Sequence, residues 1–315
     1  MTETLIATLY HFAPVPDPAS LRETLEADAR RAGLKGTLLV AREGLNGTLA
    51  GAPDALRGFV RGLRDLQGFD RLTWKESLHA VPPFHRLKVR LKREIVTMGV
   101  PEIDPERYRG HYVAPRDWND LIQRDDVMLV DTRNDYEVAI GSFEGAIDPG
   151  THCFRDLPEW LAEHADPART PKVAMFCTGG IRCEKSTAYL RQKGFEDVYH
   201  LEGGILNYLE RVPEEESLWR GACFVFDERV AVGHDLAPTG HVLCRGCRRP
   251  VDADARQDPR FEPGVSCPAC HDGLSDAAKA RRRERWRQVK LAEARGEQHI
   301  GQPMGQSTGE DGGSA

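Results

Sequence analysis

The sequence predicts an α/β chain in which an α+β unit precedes a parallel sheet covered by helices, with a cysteine-rich segment after it. Three observations predict this. The first hundred or so residues alternate in the order strand, helix, strand, strand, helix, strand. Between residues 115 and 215, the continuous apolar runs "VMLV", "VAMFC" and "VYHL" alternate with helical stretches, the pattern of strands buried on both faces. Beyond residue 217, four cysteines fall into two Cys-x2-Cys pairs.

The elements follow in order. "LIATLYHF" (residues 5–12) reads as a strand, and residues 17–31 read as a helix with Leu21, Leu25 and Ala29 on one face. Residues 36–51 read as a hairpin that turns within Glu43–Gly47, where Asn46-Gly47 supplies turn chemistry. A second helix follows over 53–66, then strands over 72–80 and 87–98. This order is that of a split βαβ, ferredoxin-like domain over residues 1–100. Residues 99–115, rich in Pro, Gly and charge, read as a linker. The parallel-sheet domain spans 115–215 and opens with a helix near Arg116–Arg124. Residues 217–300 hold little regular pattern until a basic helix starts at Asp276, and the polar, glycine-rich residues 301–315 are expected to be disordered.

Composition narrows the class. The 315 residues, 40% hydrophobic and 29% charged, fit a soluble protein of two or three domains. No apolar run approaches the ~20 residues that span a bilayer, and the N-terminus lacks a signal-peptide pattern, so a cytoplasmic protein without a membrane partner is expected. There the eight cysteines serve as thiols, metal ligands or catalytic groups rather than disulfides. A net charge of −6 excludes polyanion binding by the chain as a whole and leaves it to local basic patches.

The chemistry concentrates in "CTGGIRC", residues 177–183. Cys177 ends a strand at the carboxyl edge of the sheet, where parallel α/β folds bind ligands. Thr178, Gly179, Gly180 and Ile181 form a loop whose amides, with the following helix N-terminus, favour a thiolate. Arg182 adds a fixed positive charge. Four residues separate Cys177 from Arg182, one fewer than in cysteine phosphatases. Two readings stay open for Cys183: a thiol that resolves a persulfide or sulfenate on Cys177, or a small buried residue of the first helical turn. Asp131 and Arg133 end the neighbouring strand, either as an ion pair or with Arg133 bracing the loop or meeting an anionic substrate. Cys153 and Cys223 have no partner by spacing and read as space-filling.

Cys244, Cys247, Cys267 and Cys270 have the spacing of a tetrathiolate structural zinc site, with His241 and His271 as spare ligands. Two patches suit phosphate contact. Arg86, Lys88, Arg90 and Lys92 alternate with apolar residues and would share one face of a strand. The late helix carries Arg281, Arg282, Arg283, Arg285 and Arg287, with Trp286 free to stack on a base or to pack inward.

The loop, together with "VDTRNDYE" (130–137), "GSFEGAI" (141–147) and "LEGGI" (201–205), resembles the rhodanese domain, although the usual histidine near position 142 is replaced. With "AREGLNGTLAG", "LKVRLKREIV" and the later cysteine pairs in the same order, the chain resembles the rhodanese-domain tRNA uridine hydroxylases over about residues 4–300. The resemblance implies oxygen-dependent formation of 5-hydroxyuridine at the wobble position (34), with Cys177 as the essential, persulfide-forming cysteine. It implies tRNA, held by its anticodon arm, as partner, with Glu43 and Asn46 as further RNA contacts, and molecular oxygen as co-substrate. The sequence holds no flavin or nicotinamide motif and no facial-triad iron pattern. The loop alone supports a competing activity equally well, a thiosulfate or persulfide sulfurtransferase drawing on a small-molecule sulfur donor. A sulfur-carrier or RNA-binding module without catalysis is a third reading.

Overall fold

The computed structural model describes residues 4–79, 83–100, 103–170 and 172–295. The chain divides into two compact units. One runs to Leu243 and takes back Arg249–Ala253, and the other comprises Cys244–Arg248 and the chain from Asp254 onward.

The first unit opens with β1 (Thr4–Phe12), α1 (Pro18–Arg31), β2 (Lys35–Ala41), β3 (Gly44–Gly51), α2 (Pro53–Leu63), β4 (Thr73–His79) and β5 (Leu87–Leu91). They build one sheet of order β4-β1-β3-β2-β5, the expected ferredoxin-like arrangement with β5 added in parallel at the edge of β2. Asp17 caps α1 by accepting from the amides of Ala19 and Ser20. The apolar stripes of α1 and α2, with Leu25, Ala29, Leu56 and Val60 buried, close over Leu5, Leu9, Leu38 and Leu49 of the sheet.

Two local expectations are corrected here. The hairpin turns on Arg42 and Glu43 alone, because Ala41 already pairs with Gly44, so Asn46 and Gly47 lie inside β3 opposite Leu39 and Leu38. The strand expected over 87–98 stops at Leu91, and the basic ladder stops with it. Only Lys88 and Arg90 of its four cations stand in the strand, while Leu91, meant for the covered face, is 50% exposed. An edge strand has a neighbour on one side only, so alternation there is a weak guide to burial.

The parallel sheet follows. Its elements are β6 (His111–Val113), α3 (Pro115–Ile122), β7 (Val127–Asp131), α4 (Asp135–Val138), β8 (Gly141–Phe143), α5 (Leu157–His164), β9 (Lys172–Phe176), α6 (Ile181–Gln192), β10 (Asp197–Leu201) and α7 (Gly204–Arg211). The strand order is β6-β10-β9-β7, all parallel. The region expected as a linker thus supplies an edge strand. Both faces are covered, as the unalternating strands predict. Trp118, Phe143, Phe176, Tyr208 and Trp219 fill one side. Met98, Val130, Met175, Leu190 and the thiols Cys177 and Cys183 fill the other. β11 (Trp219–Gly221) pairs with β8, so residues just after 217 pack against the sheet region.

The second unit holds the four paired cysteines and α8 (Asp276–Ala294), capped by Ser275 accepting from the Ala278 amide. Residues 296–315, including the tail expected to be disordered, lie outside the described residues.

Candidate active site

Cys177 leaves β9 where the chain must turn into α6, and the loop closes on its sulfur. The Gly180 amide donates to Sγ at 3.1 Å, and the backbone amides of Arg182 and Cys183 lie near enough to favour its anion. Gly180 makes the turn in the left-handed region, φ 97°, which favours glycine. Burial pushes the Cys177 thiol up, but the Cys183 S–H, the Arg182 charge and these amides outweigh it and hold the thiol below its ordinary range. Burial and the neighbouring thiolate push Cys183 the other way, well above the usual thiol range. The surroundings thus favour ionisation at Cys177 and oppose it at Cys183. The Thr132 hydroxyl, donating to the Phe176 carbonyl at 3.0 Å, lies 3.7 Å from the Cys183 sulfur.

The loop is held from two sides. On one, the Ile205 and Leu206 amides at the start of α7 donate to the Cys177 and Thr178 carbonyls at 3.0 and 3.1 Å. Gly204 permits that approach, since a Cβ there would stand 2.5 Å from the Cys177 carbonyl oxygen. This is the structural content of "LEGGI". On the other side stands Glu137, fully buried. Its carboxylate accepts two hydrogen bonds from Arg182, at 2.6 and 2.8 Å, and one from Thr178 Oγ1 at 3.2 Å. Burial raises the Glu137 carboxyl, but the Arg182 guanidinium overrides this and keeps it ionised below the usual carboxylate range. The Arg182 side chain is thus spent on Glu137, and it acts on Cys177 through its charge and its backbone amide.

Sequence reasoning missed Glu137. The available signal was its place in a capping box, with the Asn134 amide donating back to it at 3.2 Å. Asp131 and Arg133 resolve as a buried bidentate ion pair of 2.9 and 2.6 Å. Ser142 Oγ, near the place of the family's usual histidine, donates to Asp131 at 2.8 Å. Arg133 is fully buried under Trp219, so it braces the strand end and is closed to a substrate anion. Cys223 is buried as expected, whereas Cys153 is exposed and donates to Asp156.

The N-terminal domain reaches this loop. Glu184, in the first turn of α6, accepts from Tyr10 of β1 at 3.2 Å and from Tyr112 of β6 at 2.6 Å. Lys185, 3% exposed in its side chain, bridges Glu43 and Glu94 at 2.8 and 2.7 Å. Glu43 and Asn46, implied RNA contacts, instead fix Ile95. Glu43 accepts from its amide at 2.6 Å, and Asn46 donates to its carbonyl at 2.8 Å.

In the second unit, the four paired cysteines bring their sulfurs within 4.8 Å of one another. Cys244 and Cys270 stand 3.9 Å apart at sulfur, Cys247 and Cys267 3.6 Å, and Cys267 and Cys270 3.9 Å. A tetrahedral tetrathiolate zinc with Zn–S of ~2.3 Å sets neighbouring sulfurs about 3.8 Å apart, so the residues fit the ion. His271 lies outside the set, bonded to Asp272 and Lys279. His241 also lies outside it, against Thr239. Few apolar groups are buried in this unit, among them Val265, Val289 and Ala292. A metal held by these four thiols would therefore supply much of its folding energy. Stripping it with a strong chelator is expected to release one zinc per chain, to lower the helical circular dichroism of α8 and to open residues 254–295 to protease. A metal-free chain with the same protease pattern would show that the thiols hold nothing.

The predicted RNA patches fare unevenly. On α8, Arg283 pairs with Glu262, Arg287 with Glu284, and Arg282 donates to the Val265 carbonyl. Trp286 packs on the Gly264 backbone rather than standing free. Arg281 and Arg285 stay exposed.

A cysteine anion cradled by amides at the carboxyl edge of a parallel sheet, and wedged from a neighbouring ferredoxin-like domain, defines a thiolate-loop enzyme of the rhodanese type. The chain matches a UPF0176 acylphosphatase-like domain over residues 4–95 and a rhodanese-like domain over residues 114–211. It is 60% identical over 295 residues to the tRNA uridine(34) hydroxylase of Ruegeria pomeroyi, covering 94% of this chain and 98% of that protein. It is 55% identical to the protein of the same name from Agrobacterium fabrum, covering 94% of this chain and 95% of that one. The chain belongs to the tRNA uridine(34) hydroxylase family.

Proposed function

We propose that the protein is a tRNA-modifying enzyme that hydroxylates uridine 34 to 5-hydroxyuridine, with molecular oxygen as co-substrate and Cys177 as the reacting thiolate. The carrying observation is the end-to-end similarity to proteins of that name, which spans both domains and the cysteine-rich segment. In this reading the wobble uridine is splayed out of the anticodon loop toward the Cys177 loop, as single-stranded bases are when chemistry is done on them. The loop amides stabilise negative charge on sulfur or on an adduct of it. The tetrathiolate site is structural, because four thiolates leave a zinc ion no open position. The protein works where tRNA is found, in the cytoplasm.

The test is genetic and chemical. Deleting the gene in its host, in a background without other routes to the same nucleoside, is expected to remove 5-hydroxyuridine from digested bulk tRNA, as read by mass spectrometry. Complementation with the full chain restores it. An unchanged nucleoside level would sink the proposal. Rapid thiosulfate-dependent thiocyanate formation by the purified chain would then favour the sulfurtransferase reading.

A further inference from the structure

The hairpin loop after β2, the segment following β5 and helix α6 meet around a cleft of about 850 Å³. Its lining includes Arg42, Lys92, Arg93 and Arg155, all exposed, with Lys185 at its base. Two carboxylates also line it, Glu43 and Glu94, and both are already spent. Lys185 takes one oxygen of each, Glu43 also holds the Ile95 amide, and Glu94 also accepts from Met98 and Gly99. The four outer cations have no such partner. Among the described residues, the side chains of Arg42, Lys92, Arg93 and Arg155 make neither an ion pair nor a hydrogen bond.

Elsewhere Arg22, Arg57, Arg124, Arg220 and Arg283 are each tied to a carboxylate, whereas here four unpaired cations line one concavity. Unpaired like charges around a concavity repel one another and raise the local positive potential, an arrangement that a bound polyanion relieves. In a chain of net charge −6 the concentration is local. The cleft also borders the reacting loop. Directly after Lys92 and Arg93, the chain packs Ile95 and Val96 against Ile181. Met98, Val100 and Ile103 join the cluster that buries Cys177 and Cys183.

We propose that this cleft is a binding site for the RNA phosphodiester backbone, with Arg42, Lys92, Arg93 and Arg155 as its phosphate contacts. It rests on the tRNA reading above and deepens it. The cleft holds the strand flanking the target nucleotide, at the seam where the N-terminal domain wedges against α6. Of the four cations only Lys92 belongs to the strand-borne ladder expected from sequence. Arg93 adjoins it, and Arg42 and Arg155 come from separate stretches of the chain.

The test is the double charge reversal R93E/R155E in the full-length, metal-replete protein, with R116E on α3 as a surface control, Arg116 being exposed and paired, among the described residues, only with the adjacent, exposed Asp117. Neither arginine has a side-chain partner to lose, so an unchanged melting temperature is expected. Binding of an unmodified tRNA transcript is followed by fluorescence anisotropy across a salt series. The reversal should weaken binding at least about tenfold and reduce the salt slope by about 1.4, two single-strand phosphate contacts at roughly 0.7 each. The control should match wild type. A variant whose tRNA affinity and slope equal those of the control overturns the proposal, as does a wild-type chain that binds no tRNA. Uridine monophosphate is titrated in parallel. Tight binding of it with unaltered tRNA affinity in the variant would assign the cleft to a free nucleotide and overturn the RNA site. If the variant loses tRNA while wild type yields no 5-hydroxyuridine, the cleft stands and the hydroxylase reading falls. If wild type hydroxylates and the variant binds equally well, the reverse holds.

Discussion

Replacing Cys177 with serine is expected to abolish 5-hydroxyuridine formation, by at least about a thousandfold, while leaving the fold and tRNA affinity intact. Serine is close to cysteine in size, and it keeps an acceptor for the Gly180 amide that now donates to sulfur at 3.1 Å. What it cannot supply is an anion near neutral pH, because no arrangement of three amides brings an alcohol down that far. The pH dependence separates chemistry from packing. Cys177 titrates below the ordinary thiol range, so iodoacetamide should report half-maximal reactivity below the ~8.5 of a free cysteine. The sulfur is buried, so the absolute rate is low and the shape of the profile carries the information. Lowering pH through the depressed value protonates the thiolate and removes activity. Cys183→Ala removes the neighbouring thiol that favours the Cys177 anion and should move the profile toward the free-thiol value. Cys183→Ser keeps a donor and should leave it near wild type. A profile indifferent to Cys183→Ala would mean that the second thiol only fills space.

The loop was legible because its chemistry is local. Seven consecutive residues, 177–183, hold the thiol, the amides and the charge, and strand and helix flank them directly. The zinc cysteines were legible for the same reason, each knuckle being four residues long. What escaped is long-range. Glu137 meets Arg182 across 45 positions, and Tyr10 meets Glu184 across 174. Neither pairing leaves a periodic trace. β6 is three residues of mixed polarity, and only the neighbouring β10 makes it a strand. The basic ladder misled because alternation was read as a strand face where the strand ends, at Leu91. Asn46-Gly47 misled because turn chemistry can also sit one step inside a strand, once Arg42 and Glu43 have made the turn.

Glu137→Gln is expected to be the most destabilising single change in the sheet domain that leaves its volume unaltered. Among the described residues, the carboxylate is the only acidic partner within hydrogen-bond reach of Arg182, which is itself 7% exposed. Glutamine would leave a guanidinium buried without a counter-charge, and breaking a buried pair from one side costs about 3–5 kcal/mol. For a domain of roughly 100 residues, at about 4–8 °C per kcal/mol, that is a fall in melting temperature of more than about 10 °C. The damage should reach the chemistry as well. Glu137 also takes the Thr178 hydroxyl at 3.2 Å, so glutamine, with one acceptor oxygen in place of two, weakens the anchor at both ends of the cysteine loop. The double change Glu137→Gln with Arg182→Met tests the cause. If the uncompensated charge is the fault, the double variant recovers much of the lost stability, because the buried cation is gone, but it does not recover activity. If it melts no higher than the single variant, the cost lies in lost hydrogen bonds to the loop. The Arg182–Glu137 pair then serves as a geometric clamp and not as a balance of charge.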